Sequence, residues 1–201
     1  VLSYRSGEIL LSINDSSLYR FTGCGALRWG KSYSCDSFAT ISRNNGIVRT
    51  QSMIQSFDGG MVQLSKVQTR NGLYCTLVSR FDSAGNVILA TLLKDGVSHQ
   101  EPGVLAEDPE GNLFVFGTST FSPGPVVYHH LTRISKQGQI SWSKMFSLGA
   151  GGVRGGIATS DSGFLFLTGN YVVKTDKKGN LSWSNYCNFV SGQSDGFSTE
   201  T

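Results

Sequence analysis

The sequence predicts an all-β chain, on three observations. Two signatures each recur four times at about 52 residues, each recurrence divides into four short strands bounded by Gly, Asn, Asp or Ser, and no stretch combines helical period with helical length. A tandem unit of about 40–50 residues that supplies four strands is what a β-propeller blade requires. The predicted architecture is therefore a β-propeller of about four four-stranded blades, one domain or segment over 1–201. At 201 residues, roughly 70% of the extended chain's surface can be buried, so no staple is needed.

Unit 1 covers about 1–37. It carries "YRSGEILLSI" around Gly7 and then "YRFTGCGALRWGKSY" around Gly25. Unit 2, about 38–95, repeats them as "FDGGMVQLSK" around Gly60 and "SRFDSAGNVILATLL" around Gly85. Unit 3, about 96–148, has "PEGNLFVFGT" around Gly111 and "ISKQGQISWS" around Gly138. Unit 4, about 149–190, has "SDSGFLFLTG" around Gly163 and "TDKKGNLSWS" around Gly179. Its four strands are read as "VRGGIATS", "FLFLTGN", "YVVKTD" and "LSWSNYC". The tail 191–201, "SGQSDGFSTET", reads as the lead-in to a further strand. From Gly7 to Gly60, Gly111 and Gly163 the steps are 53, 51 and 52 residues.

The second signature has internal grammar. Five residues before its glycine stands a basic residue (Arg20, Arg80, Arg133, Lys174), and two after it an aliphatic one (Leu27, Val87, Ile140, Leu181). Four after it come Trp29, Leu89, Trp142 and Trp183, so all three tryptophans of the chain share one repeat position. "DKKGN" and "DSAGN" suit hairpins whose glycine takes the positive φ other residues resist. The aliphatic residue and the tryptophan are expected on one face, wedged between neighbouring blades. Glycine-to-glycine distances within the units run 18, 25, 27 and 16, so length varies in the loop between the second and third strands. Variable loops on one rim of a constant frame are where binding is expected. The ends allow a four-bladed ring or part of a longer propeller, and the longer propeller is favoured; an open end leaves strand edges for a partner or further blades.

These motifs resemble a group of secreted or surface β-propeller proteins of bacteria. There, Asp-Gly-Gly, a hydrophobic run and Gly, followed by Ile-Lys-Leu-Asp-x-x-Gly-Asn-x-x-Trp-x-Lys, recur at about fifty residues. Here "SDSGFLFLTG" with "VVKTDKKGNLSWSNYC", "SFDGGMVQLSK" and "RFDSAGNVI" carry the likeness, while unit 1 is degenerate and Leu89 replaces Trp in unit 2. The resemblance implies the fold and an extracellular or cell-surface location, and it brings no catalytic residues. Quinoprotein propellers use Asp-x-x-Thr-Gly-x-x-x-Trp; "DKKGNLSW" lacks the Thr and one residue of spacing.

Composition narrows the partners. Seventeen basic and fourteen acidic residues give +3, spread without a like-charge block, so neither a nucleic-acid arm nor a membrane anchor is expected. No apolar run approaches the ~18 residues of a spanning helix. No signal-peptide core precedes Val1, which is read as the start of a processed or excised segment. Cys24, Cys35, Cys75 and Cys187 lack paired zinc-knuckle spacing; Cys24 and Cys35 are near enough in sequence for one disulfide, with buried free thiols as the alternative.

No catalytic, cofactor or metal site emerges. Strand alternation sends His129 and His130 to opposite faces, His99 is the remaining histidine, and no G-x-S-x-G elbow accompanies the serines. "GAGGVRGG" lacks the Lys-Ser/Thr of a phosphate loop, and the Asp turns lack alternating calcium ligands. The repeated basic residues are expected to pair with a carboxylate or with a carbonyl of the adjacent unit. Phe121, Tyr33 and Tyr186 are candidate partner contacts. The expected function is a non-enzymatic module that binds a protein partner through rim loops; the alternatives are a glycan-binding propeller and a degenerate quinoprotein or hydrolase segment.

Overall fold

In the computed structural model the described residues are 1–4, 6–13, 17–33, 47–69, 71–94, 98–121, 127–148 and 151–187. They form four antiparallel sheets of four strands each, in chain order within every sheet. The first holds β1 (Leu2–Ser3), β2 (Ile9–Ile13), β3 (Ser17–Phe21) and β4 (Leu27–Ser32). The second holds β5 (Ile47–Gln55), β6 (Met61–Gln68), β7 (Tyr74–Phe81) and β8 (Val87–Leu93). The third holds β9 (Ser98–Glu107), β10 (Leu113–Phe121), β11 (Val127–Ile134) and β12 (Ile140–Phe146). The fourth holds β13 (Val153–Ala158), β14 (Phe164–Thr168), β15 (Tyr171–Thr175) and β16 (Leu181–Tyr186). The tail 191–201 lies outside the described residues.

In the second and third sheets strand alternation gives the middle strands two buried faces, because both are covered by neighbouring sheets, whereas β3 and β14 of the outer sheets are fully buried on one face only. Three clusters fill the three gaps. Leu10 and Leu18 of the first sheet meet Met61 and Phe81 of the second. Val62, Leu64 and Val78 of the second meet Leu113, Val115 and Ile134 of the third. Phe114, Phe116 and Leu131 of the third meet Phe164, Phe166 and Val173 of the fourth. Phe116 and Phe166 have ring centroids 4.0 Å apart, the tightest of these aromatic contacts.

All hairpins joining first to second and third to fourth strands have one backbone geometry. In each, a residue's N–H bonds to the carbonyl four residues on, and its own carbonyl accepts the N–H of the residue three on, as Asp82 does with Asn86 and Gly85. That third residue sits at positive φ: Gly7, Gly59, Gly111 and Ser162 in one series, Gly25, Gly85, Gly138 and Gly179 in the other. This corrects the sequence alignment, which took Gly60 and Gly163 as the equivalents of Gly7 and Gly111. Each is one residue late, and the true steps are 52, 52 and 51. Gly60 and Gly163 are glycines for another reason: a Cβ on either would run into the carbonyl oxygen of Phe81 or Thr175.

A second correction concerns the aliphatic and tryptophan positions. In every sheet the pairing of third and fourth strands slips by one residue at the same place: Phe21 faces Leu27 but Arg20 faces Trp29. Equivalent slips pair Arg80 with Leu89, Arg133 with Trp142 and Lys174 with Trp183. The bulge absorbs one extra residue and reverses the alternation. Leu27, Val87, Ile140 and Leu181 consequently turn away from the tryptophan face and stay about half exposed.

The residue at the tryptophan position lies on the hairpin glycine of the next sheet. A Cβ on Gly85 would stand 2.7 Å from the Trp29 ring, one on Gly179 2.6 Å from Trp142, and one on Gly138 would overlap Leu89. Trp29 Nε1 donates to Ser83 O and Trp142 Nε1 to Lys177 O, both at 3.2 Å, and each acceptor lies two residues before the seat glycine. Among the described residues nothing lies within 4 Å of a Cβ placed on Gly25.

Two glycine substitutions separate backbone strain from loss of the seat. Gly25→Ala should cost about 1–2 kcal/mol, the left-handed penalty alone. Gly179→Ala should cost about 3 kcal/mol or more, because overpacking against Trp142 is added. Urea unfolding of dilute protein measures both, and equal losses would show that the tryptophan seat contributes nothing.

Candidate functional site

The repeated basic residues sit opposite the tryptophan position; Arg20 and Arg80 are tied both within their own sheet and to the next, Arg133 and Lys174 within their own. Arg20 Nη2 donates to Glu8 at 2.8 Å within its own sheet, while Nη1 donates to Ser83 O of the next at 2.7 Å. Arg80 bonds Glu107 and the carbonyl of Gly111, both across the gap to the third sheet, and Ser56 Oγ in its own. Arg133 reaches the fully buried Asp108 at 2.9 Å, and Lys174 reaches Asp161 at 2.8 Å. The four cations are thus committed to the frame.

Around Arg80 the frame opens into a cleft. Between the second and third sheets, at the rim of the constant hairpins, a cavity of about 470 Å³ is lined by Phe57, Asp58, Glu107, Glu110, Lys136 and Gln137 among others. Its floor is fixed: Glu107 accepts from Ser56 Oγ and from the Phe57 N–H, each at 2.9 Å, besides pairing with Arg80. Its mouth is an aromatic ring, Phe57, 64% exposed, between the solvent-facing carboxylates of Asp58 and Glu110. A second cavity of about 470 Å³ shares Phe57 and Glu107 and is also lined by Leu105 and Ile157, on the first strands of the third and fourth sheets. An apolar plate flanked by carboxylates and an amide suits a flat ligand bearing several hydrogen-bond donors.

Phe57 and Glu107 were not singled out in the sequence. Glu107 lies one residue before a hairpin and meets Arg80 from 27 positions away, a pairing that spacing does not reveal. Phe57 occupies a hairpin position held by Pro109 and Ser160 in the third and fourth units, and this substitution was its only signal.

The predicted partner contacts fall in different settings. Tyr33 is half-buried, donates to Gly85 O at 2.6 Å and lies edge-on to Phe81, so it joins the first sheet to the second. Burial, aided by the Asp82 charge, pushes its phenol up to about 12. Phe121 ends β10 and meets Tyr128 edge-on; the rest of its loop, 122–126, lies outside the described residues. Tyr186 is exposed on β16 and accepts from Asn170 Nδ2 at 3.3 Å. Cys24 is an exposed thiol, and Cys35, its expected partner, lies outside the described residues.

His129 and His130 face opposite ways. His129 Nε2 donates to Gly151 O at 2.7 Å and meets Thr168, which ties the third sheet to the glycine-rich lead-in of the fourth. His130 Nδ1 meets Ser119 Oγ at 3.1 Å. Among the described residues no three His, Cys, Asp or Glu side chains gather as a metal set, and no helix is long and apolar enough to cross a membrane.

Several carboxyls are held below their ordinary range. The Arg20 hydrogen bond lowers Glu8 and the Lys174 hydrogen bond lowers Asp161. Asn86 does the same for Asp82, and the Asn180 N–H for Asp176. At Asp108 burial pushes upward, but the bonds from Asn112 and Arg133 together outweigh it. Depressed folded values mean the unfolded chain binds more protons in acid, so stability is full above about pH 5 and falls as pH drops below about 4. Urea midpoints followed from about pH 6 to about pH 3 should decline, and Asp108→Asn should lower the midpoint at about pH 6 while flattening that decline. An equally steep decline in the variant would remove Asp108 from the acid response.

No family model matches the chain, and no curated protein matches it. Among solved structures the chain is similar to a protein of unknown function from Bacteroides caccae, whose crystal structure was determined at 1.35 Å resolution. The TM-score is 0.59 at 15% identity, over 94% of this chain and 61% of that one. At that identity the likeness shows the fold alone, and this chain spans about three-fifths of the other's length.

Proposed function

We propose that the chain is an arc of a β-propeller that serves as a non-enzymatic binding module of an exported or surface-assembled protein. The observation that carries this reading is the repeated inter-sheet lock: Trp29, Leu89 and Trp142 each lie on the hairpin glycine of the following sheet. A lock that joins each sheet to its neighbour alone, with one sense of direction, supports radial stacking of blades. The 1–2 and 3–4 hairpins occupy one rim with a single geometry. The 2–3 loops, of unequal length, lie on the other, together with the connections between sheets. We assign protein-partner binding to that variable rim, on the general ground that function gathers in loops held by a rigid frame.

A second reading is favoured by one feature. The cleft beside Phe57 presents an exposed aromatic plate between carboxylates, the arrangement a pyranose ring needs for stacking and hydroxyl recognition. It gives a glycan site on the constant rim.

One paired experiment tests both. Deleting 122–126, between β10 and β11, should abolish capture of a protein partner from surface extract while leaving the far-ultraviolet circular dichroism unchanged, and Phe57→Ala should leave capture intact. On a glycan array the pattern reverses: the deletion keeps any signal and Phe57→Ala loses about tenfold or more, the scale of an aromatic hot spot. Capture unaffected by the deletion would overturn the rim assignment, and a blank array would remove the glycan reading.

A further inference from the structure

We propose that the cleft beside Phe57 takes an amino sugar, with its protonated amine facing the carboxylates of Asp58 and Glu110. The inference rests on the glycan reading of that cleft and names the sugar.

The cleft lies in the interior of the array, between the second and third sheets, each of which packs on a further sheet at its other face. The hairpins that line it, 56–60, 108–112 and 135–139, all belong to the described residues.

Two of its carboxylates are spare. In the fourth sheet the acid of the 1–2 hairpin is the cation's own partner, Asp161 holding Lys174 at 2.8 Å. Asp58 and Glu110 occupy the same position of that turn, two residues after its first. In their sheets, however, a buried acid takes the cation: Glu107 binds Arg80, and Asp108 binds Arg133 at 2.9 Å. Asp58 and Glu110 are left 3.5 Å from those guanidiniums, with side chains 52% and 68% exposed. Three carboxylates of the lining, Asp58, Glu107 and Glu110, face two cations, Arg80 and Lys136. The mouth therefore carries negative charge beside an exposed aromatic ring, and an ammonium is attracted by the carboxylates and by the ring face together.

The floor needs what a bare ammonium lacks. Arg80 lines the cavity, is 6% exposed, and keeps a buried Nε–H with no acceptor in the protein. A sugar hydroxyl accepts as well as donates and can satisfy it, whereas a lysine side chain only donates. Phe57 offers the pyranose face an apolar plate, and about 470 Å³ accommodates a short oligosaccharide. Ammonium, hydroxyl and flat apolar face occur together on one ring only in an amino sugar.

Isothermal titration calorimetry of the full chain with β-1,4-linked trimers of glucosamine, N-acetylglucosamine and glucose, and with trilysine, tests the assignment. At about pH 6, where an amine is protonated and a carboxylate charged, the glucosamine trimer should bind about tenfold or more tighter than the other ligands, the scale of a charge-assisted hydrogen bond. Raising the pH to about 9 strips the proton from the amine and should abolish that preference. Asp58→Asn combined with Glu110→Gln should also abolish it, with the circular dichroism of wild type, because Glu107 and Asp108 still hold the arginines. Phe57→Ala should weaken the glucosamine and glucose trimers alike, by about tenfold. A preference that survives the double substitution or the rise in pH overturns the proposal, and so does trilysine binding as tightly as the glucosamine trimer. Equal or tighter binding of a neutral trimer overturns the amine assignment and leaves the glycan reading standing. Silence from all the sugars removes both.

Discussion

The fold depends on a flat patch of backbone at each third-to-fourth-strand hairpin. A left-handed residue must follow the turn for the strands to rejoin, and glycine takes that conformation without strain. Having no Cβ, the same glycine leaves a surface on which a neighbouring indole can lie. At Gly85 and Gly179 the turn requirement and the packing requirement fall on one atom that is not there. The β-bulge supplies the complementary half, because the extra residue on the fourth strand turns Trp29 and Trp142 toward the next sheet and places an arginine directly beneath. Indole, guanidinium and backbone carbonyl then meet at one point: Trp29 and Arg20 both donate to Ser83 O.

An array held this way has a direction and nearest-neighbour energetics. Each sheet contributes a donor face and an acceptor face, so its stability divides into that of the sheet and that of its two boundaries. The boundaries are not equal. Between the third and fourth sheets aromatic rings dominate, with Phe114, Phe116, Phe164 and Phe166 in one cluster, and His129 adds a polar tie to Gly151. Between the second and third, leucine replaces tryptophan at the lock, and Arg80 with Glu107 supplies the polar tie. The open cleft lies at that second boundary. A smaller wedge leaves room, and the ion pair that fixes the floor also keeps it polar.

Much of the frame was legible in the sequence because its constraints are local. The glycine spacing, the tryptophan position and the strand runs are fixed by turns a few residues long, and they gave the number of sheets and the order of strands. The errors arose where a constraint is not carried by residue type. In Gly59-Gly60 either glycine fits the motif, and only φ distinguishes them; Ser162 holds φ 59° with nothing in its identity to mark it. The bulge is one residue among six on strands that look regular, so Leu27 and Trp29 seemed to share a face. Phe57 and Glu107 escaped because a site built across two sheets has no sequence neighbourhood. Tyr33, proposed for a partner surface, shows the same limit from the other side: its role is set by Gly85, 52 residues on.

The division between the rims follows from where the locks lie. Every lock uses a 3–4 hairpin, and Glu8, Asp108 and Asp161 of the first, third and fourth sheets hold their cations from beside the 1–2 hairpins on the same rim. Residues of that rim are therefore constrained twice, by the turn and by the neighbour. The 2–3 connections share no single geometry: the one between β6 and β7 repeats the hairpin turn, with Gly72 at positive φ, while the others run from the two-residue reversal at Gly169–Asn170 to the interval between Phe121 and Val127. Freedom from the tryptophan lock is what lets the loops of that rim differ in length. The cleft beside Phe57 opens on the constrained rim where leucine stands in the lock in place of tryptophan.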